Sequence, residues 1–500
     1  MNGILSQLGQ GFAAALTIEN LAFVFLGVLV GTIVGVLPGL GSITAIALLI
    51  PLAFDLDPLS GLIMLCGVYF GSQYGSSTTA ILVRTPGEIS SIVTTIDGYM
   101  MARKGRAGPA LATAAIGSFI AGTASVLALT FLSPFFARLA ITLGAAEYFL
   151  LMLLALLLVS TLTTGSSLKA LISTLVGLAI ATVGIHPGTG VPRLTFGILE
   201  LGNGINFVMV AIAVFAVSEA VRELARVGGG VEARQPIGRI TMSREDWRRS
   251  AAPWGRGSVI GFVIGVLPGI GPSLASYVSY VVEKVVSKGR KQFGKGAIEG
   301  VAGPEAANNA AVGGAMVPMF TLGIPGSGTT ALLLFVFTMY GLQPGPMLFQ
   351  TNPHIVYGII ASLYIGNVAL LALNLPLVGV FAQLLRVPTS LLYLGVIMSG
   401  VLGVYTTSFN PFDFVLLFIF SVLGYFMSRY GFSLATLLLA MVLGPLVEQN
   451  LGRALNISGG SFAVFVERPI SLVLVLIIVA VSIVPAIVRL TRRKRHPALT

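Results

Sequence analysis

The sequence predicts an all-α polytopic membrane protein of about 10–12 transmembrane helices, with Pro-Gly-broken helical hairpins in two inverted-topology repeats. Three observations lead there. Of 500 residues, 55% are hydrophobic and only 9% charged, where a soluble domain carries about 25% charged residues. The apolar residues fall in runs near the ~20 residues a helix needs to cross the hydrocarbon. The stretch Gly35-Val36-Leu37-Pro38-Gly39-Leu40-Gly41 returns 230 positions later as Gly265-Val266-Leu267-Pro268-Gly269-Ile270-Gly271. Both copies interrupt apolar runs. Proline removes a backbone donor and clashes with the preceding turn, and glycine widens the accessible φ. Such breaks survive in a bilayer only where protein or a wet cavity satisfies the freed backbone.

Composition also excludes classes of function. The formal charge is +11, but the basic residues cluster in a few loops, which fits the positive-inside rule and not nucleic-acid binding. Cys66 is the single cysteine, so a disulfide or cysteine-metal framework is impossible and a buried, inert thiol is expected. His186, His354 and His496 are scattered, each near a proline, which argues against a metal site. There is no phosphate-binding Gly-rich loop ending in Gly-Lys-Ser/Thr and no His-Glu-x-x-His. No cofactor is expected, and energy would come from an ion gradient or a separate subunit. Met1 to Asn20 holds no Lys or Arg, so it lacks the basic region of a cleaved signal and should stay in the mature protein.

In chain order, residues 1–17 read as a short amphipathic or frayed start. The first membrane half covers 1–221, its repeat unit about 18–109. An apolar run from Leu21 reaches the first break, and Ser42 to Phe54 is apolar again. Gly71-Ser-Gln-Tyr-Gly-Ser-Ser-Thr-Thr-Ala80 then leads to a second break at Arg84-Thr85-Pro86-Gly87-Glu88. Four spans follow near 109–133, 146–164, 168–186 and 204–221. Residues 222–256 hold eight arginines, at 222, 226, 234, 239, 244, 248, 249 and 256, and read as a cytoplasmic linker. The second half covers 257–491, its repeat unit about 257–346. It runs from Pro268-Gly269 through a basic loop (Lys284 to Lys295) to Gly303-Pro304-Glu305-Ala-Ala-Asn308-Asn309, then Gly323-Ile324-Pro325-Gly326-Ser327. Pro325 lies 239 positions after Pro86, so the landmarks recur in order. Five spans finish the chain near 355–380, 388–406, 411–428, 432–447 and 470–490, before a basic tail at 492–500.

Charge sets the orientation. Placing the basic Arg103–Arg106, 222–256 and 284–295 loops and the tail in the cytoplasm puts the uncharged N-terminus and Gly345 loop outside. The two units then enter from opposite sides, as an inverted repeat does. The segment between the 222–256 and 284–295 loops becomes a re-entrant hairpin with Pro268-Gly269 at its tip. A single kinked span is the alternative.

Four breaks meeting near the midplane would make a binding site. Helix N-termini carry unpaired N–H groups and about +0.5 of an elementary charge, suited to a carboxylate. The substrate-binding candidates are Pro38, Gly39, Ser76, Ser77, Thr78, Arg84, Pro86, Gly87, Pro268, Gly269, Asn308, Asn309, Pro325, Gly326 and Ser327. Unwound carbonyls and hydroxyls suit a hard cation such as sodium; the candidates are Thr79, Asn308, Gly39 and Gly269. Ionisable residues inside membrane runs are functional candidates by default, which singles out Arg84, Glu88 and Glu305. The plain alternatives are an Arg84–Glu88 pair, an interfacial helix start at Glu305, and small-residue helix packing for the Ser76–Thr79 run. Asn410-Pro411-Phe412-Asp413 reads as a helix cap.

Two stretches carry a family resemblance. Gly71 to Gly87 followed by Asp97-Gly98-Tyr99, and Pro304 to Gly314 followed by Leu322-Gly-Ile-Pro-Gly-Ser327, resemble the large membrane subunit of the tripartite tricarboxylate transporters (the TctA family). The resemblance extends over nearly the whole chain. It implies a bacterial inner-membrane secondary transporter, not an enzyme, that imports organic anions of the citrate class on a sodium or proton gradient. It implies two partners, a small four-helix membrane subunit and a periplasmic solute-binding protein. The chain departs from the family at Arg84, usually Asn, and at Ser76-Ser77, commonly Gly-Gly. Two other readings stay open. One is a self-sufficient permease. The other is an intramembrane lipid-modifying enzyme, which would need clustered acids or a His/Cys pair at one membrane face.

Overall fold

Side-chain caps start some of the helices, at Thr17, Asp57, Asn206, Ser243, Ser327 and Ser433, and the broken helices end just before a proline or on a left-handed residue. The computed structural model describes residues 2–162, 166–186, 188–225, 235–269 and 271–495. Arg226, Glu232 and Arg234 of the expected linker, Ile270 of the second Pro-Gly motif and His496 lie outside them, as do the side chains of the basic tail. The helices are α1 (Asn2–Ala15), α2 (Ile18–Val36), α3 (Gly41–Ala53), α4 (Pro58–Val83), α5 (Thr94–Arg103), α6 (Ala107–Ile141), α7 (Ala145–Leu162) and α8 (Ser167–Ala181). They continue with α9 (Phe207–Ala211), α10 (Ser218–Ala225), α11 (Arg244–Val266), α12 (Gly271–Val286), α13 (Glu299–Leu322), α14 (Gly328–Met339) and α15 (Leu348–Thr351). The last six are α16 (Pro353–Phe381), α17 (Thr389–Ser408), α18 (Phe412–Arg429), α19 (Leu434–Ile457), α20 (Val464–Glu467) and α21 (Pro469–Arg495). The all-α expectation holds. Among the described residues six helices are long and apolar enough to cross a membrane, and five shorter apolar ones accompany them.

Several expected boundaries move. The start is a regular helix, because α1 packs on α16: Gly11 meets the Tyr357 backbone, where any Cβ would clash. Between α8 and α9 lies a two-stranded antiparallel hairpin, β1 (Gly184–Ile185) on β2 (Pro192–Arg193). It accounts for His186, whose Nδ1 accepts the Thr189 N–H at 2.9 Å and whose Nε2 faces Glu448 at 3.0 Å. The span expected at 204–221 widens into a π-helical segment over Ile212–Val217. Residues 222–256 are not a linker throughout. The chain becomes helical at Arg244 behind a capping box, in which Ser243 and Asp246 satisfy each other's N–H groups. Four of the expected linker arginines lie in α11, and two of them fork onto acids: Arg249 onto Glu299 of α13 and Arg256 onto Glu283 of α12, at 2.6–2.8 Å. Asn410 caps α18 as read, accepting the Phe412 N–H at 3.0 Å.

Compactness groups the chain into two units, each drawn from both halves of the sequence. Met1–Arg138 with Asn206–Phe426 is one, and Leu139–Ile205 with Met427–Thr500 the other. The second unit packs α7, α19, α20 and α21 around Ala146, Leu150, Ala454, Phe465 and Leu474, and α8 lies against α7 and α19. Its buried acid, Glu147, is satisfied by the Gly144 N–H, the Ser471 hydroxyl and Arg468. The first unit holds both repeat motifs, and there the sequence repeat becomes a repeat of packing. On α2, Gly27, Gly31 and Gly35 lie against the carbonyls of Met64, Val68 and Ser72 on α4. On α11, Gly257, Gly261 and Gly265 lie against the carbonyls of Gly303, Ala307 and Ala311 on α13. The glycines differ by 230 positions and their partners by 239, the offsets of the two Pro-Gly breaks. Small residues at this spacing let backbones approach closely where lipid supplies no hydrophobic drive between helices.

Candidate functional site

The backbone of the breaks repeats with the packing. Val36 and Val266 end their helices on Leu37 (φ −86°, ψ 119°) and Leu267 (φ −76°, ψ 124°). Gly39 and Gly269 follow at φ 83° and 79°, and Gly41 and Gly271 at 63° and 62°. These left-handed values exclude a side chain at little cost only for glycine. The second break of each unit ends its helix on a left-handed residue, Arg84 (φ 57°) after α4 and Gly323 (φ 68°) after α13.

The breaks close on one another. Gly87 presses on the Gly35 carbonyl, with no room for a Cβ. The Gly269 N–H donates to the Gly326 carbonyl at 3.0 Å. The two repeat units, both inside the first compact unit, then meet each other: the Ser42 and Thr329 hydroxyls, in the first turns of α3 and α14, are 2.9 Å apart, and the Tyr69 hydroxyl is 3.1 Å from Ser327 Oγ. Pro38 lies at the first break, its carbonyl accepting from the Tyr393 hydroxyl at 2.6 Å. Ser327 begins α14 as half of a capping box with Thr330. The π-helical segment joins here as well, since Thr44 of α3 donates to the Phe215 carbonyl at 3.3 Å.

The remaining predicted residues divide. Ser76, Ser77, Thr78 and Thr79 are all buried on α4. Ser77 donates to the Tyr74 carbonyl and Thr79 to the Val36 carbonyl, each at 2.7 Å, and Ser76 pairs with Ser91. Arg84 does not pair with Glu88. Its guanidinium lies 5.9 Å from the Tyr99 ring centre, a cation–π distance, while Glu88 accepts the Ser42 N–H at the start of α3. The chain thus places its own carboxylate on a helix N-terminus that the sequence reading reserved for substrate. Asn308 donates to Glu305 at 3.2 Å; Asn309 donates to Ser118 at 2.8 Å and to the Glu305 carbonyl at 3.0 Å. The four cation candidates turn to separate partners: Thr79 to Val36, Asn308 to Glu305, Gly269 to Gly326, and Gly39 to the neighbourhood of Tyr393 and Glu219.

Sequence reasoning missed Ser42, Tyr69, Ser91, Thr94 and Thr329. Only the repeat held a signal for them. Ser91 and Thr330 stand 239 positions apart, as do Glu88 and Ser327, so the polar residues after each second break are equivalent. No group of three or more His, Cys, Asp or Glu able to hold a metal occurs among the described residues. Away from the breaks, Asp246 is buried, which disfavours its charge, but the Arg106 guanidinium and Ser243 prevail and hold its carboxyl below the usual range.

The profile described as Tripartite tricarboxylate transporter TctA family matches residues 21–439. The chain is 47% identical over 490 residues to the uncharacterized 52.8 kDa protein in the TAR-I ttuC' 3' region of Agrobacterium vitis, covering 97% of this chain and 98% of that one. It is 45% identical over 214 residues to an uncharacterized protein in the TAR-II ttuC' 3' region of the same organism, covering 42% of this chain and 88% of that one. No solved structure matches. A family match that spans both pairs of Pro-Gly breaks and the helices they interrupt makes this chain a member of the tripartite tricarboxylate transporter TctA family.

Proposed function

We propose that this chain is the substrate-translocating large subunit of a binding-protein-dependent secondary transporter that imports organic di- or tricarboxylates on an ion gradient. The observation that carries it is the meeting of the four breaks, through Gly87 on Gly35, Gly269 on Gly326 and Ser42 on Thr329. Interrupted helices in two equivalent units are the transporter arrangement for binding at the bilayer midplane. The anion sits against Pro38-Gly39, Pro86-Gly87, Pro268-Gly269 and Pro325-Gly326, with Arg84 as its fixed counter-charge. Ser76–Thr79, Asn308 and Asn309 line the path, and Ser327 orients the α14 start. The units are inverted repeats in the inner membrane, N-terminus outside and C-terminus in the cytoplasm, and rock against the rest to alternate access. The membrane partner is the small four-helix subunit, and the periplasmic binding protein delivers substrate. The protein is a transporter and not an enzyme.

Labelled citrate, malate and succinate uptake into proteoliposomes holding this chain and the small subunit tests the reading. Uptake only with binding protein and an ion gradient is expected. Uptake by this chain alone would make it a self-sufficient permease, and lipid turnover without uptake would make it an enzyme. Alanine at Asn308 should abolish uptake at normal protein level; unchanged uptake removes Asn308 from the path.

A further inference from the structure

Glu305 is fully buried, on α13, and joins the two repeat units. Thr94, at the start of α5, donates to one carboxyl oxygen and Asn308 to the other. Both are neutral. The buried charged groups on α5, α11, α12 and α13 other than Glu305 are engaged elsewhere. Asp97 of α5 takes the Tyr280 hydroxyl and the Gly296 and Ala297 N–H groups. Glu283 of α12 and Glu299 of α13 are forked by Arg256 and Arg249 of α11. Glu88 takes Ser42, Tyr69 and Tyr74 of α4 take Ser327 and Asn367, and Arg84 lies over Tyr99. Among the described residues, no cation is paired with Glu305.

Resting on the transport reading above, we propose that Glu305 is the residue that carries the coupling proton. A buried carboxylate without a counter-charge is strongly disfavoured and takes up a proton instead, and isolated acids inside membranes mark proton paths. What favours the proton is burial without a counter-charge, since the hydroxyl and amide hydrogens around the carboxyl stabilise its charged form; what disfavours sodium is the lack, among the described residues, of oxygens turned toward the site. A sodium site needs converging oxygens, whereas here hydroxyl and amide hydrogens converge on the carboxyl. The Asn308 amide oxygen points away, to the Asn309 amide nitrogen. One buried acceptor in the cluster, Asn309 Oδ1, has no hydrogen-bond donor, so the cluster has a vacant acceptor. The link to transport is the span of the contact. Thr94 follows the second break of one unit, and Glu305 and Asn308 belong to the other. A movement between units therefore changes what donates to the carboxyl. The proton joins a carboxyl oxygen when the site faces outward and leaves it when the site faces inward.

Two measurements test this. Infrared difference spectra of the purified chain in lipid report the carbonyl stretch of a buried protonated acid without needing a substrate. The band should be present in the native chain and in Glu88→Gln and absent in Glu305→Gln; its persistence in Glu305→Gln overturns the proposal. In proteoliposomes with both partners, Glu305→Gln should lower pH-gradient-driven accumulation of labelled citrate at least about tenfold, but citrate exchange by less than about threefold. Equal loss of both makes Glu305 a structural or substrate residue. Accumulation driven by sodium alone and lost in the variant makes it a sodium ligand. Either overturns the proton. Failure of the native chain to exchange citrate bears on the transport reading, while the infrared result still judges Glu305. Should Glu305→Gln not fold, Glu305→Asp keeps the acid and must shift the pH midpoint of the band; an unmoved midpoint overturns the assignment.

Discussion

The two repeat units share a backbone and differ in charge. In the first, the left-handed end of α4 is Arg84 and the residue four positions on is Glu88, which holds the Ser42 N–H of α3. In the second, the equivalent positions are Gly323, Ser327 and Pro272. Ser327 caps its own helix, and Pro272 has no N–H to offer. One break therefore carries a cation and an anion, and its sister is neutral. The backbone is what closes the fold, so both copies keep it. The second repeat unit closes without these charges, so the shared backbone does not require them, and the transport proposal gives Arg84 the role of counter-charge to the anion.

Ways to break this comparison run from packing to charge. The largest effect should come from the shared feature. Leucine at Gly261 would drive a side chain into the Ala307 backbone and, like leucine at Gly31, should cost at least about 1–3 kcal/mol, read as lost monodisperse protein in detergent. Normal yield and melting for both variants would show that the close approach is dispensable.

Next is Glu88→Gln, which removes a negative charge beside the proposed anion path. A tenfold fall in substrate KM corresponds to about 1.4 kcal/mol, within reach of one charge pair a few ångströms away at the effective dielectric near a protein surface. An unchanged KM would place the anion elsewhere. Giving Arg84 its sister's glycine should relieve a left-handed conformation worth about 1–2 kcal/mol, raising the melting temperature by a few degrees, while uptake falls. A rise in both, or a fall in both, breaks the proposed division between fold and function.

The smallest effect lies outside the breaks. The folded-state carboxyl of Asp246 titrates below its unfolded value. Its contribution to stability is therefore present above about pH 4 and is lost as pH falls through the folded value. Asp246→Asn should lower the melting temperature near neutrality and flatten its dependence on pH below about pH 4. An unaltered acid profile would mean that the pair with Arg106 contributes nothing measurable.

The class of protein, the two units and the position of every Pro-Gly break were legible in the sequence. Each follows from a local constraint. Charged residues are costly in lipid, proline cannot donate, and glycine alone adopts the left-handed turns freely. The family resemblance was legible too, in stretches that lead into the second break of each repeat unit. What the sequence did not determine was which polar groups meet. Arg84 lay within reach of Glu88 by helical spacing, yet the left-handed turn at Arg84 sends it to Tyr99 and leaves Glu88 to Ser42. Arg249 and Arg256 of the expected linker were read as loop charges, but they lie in a helix and pair with two acids of the second repeat unit. Thr94 and Glu305, 211 positions apart, share a hydrogen bond that no period in the sequence encodes. Partnerships of this kind depend on how whole helices pack, and only the tertiary structure decides that.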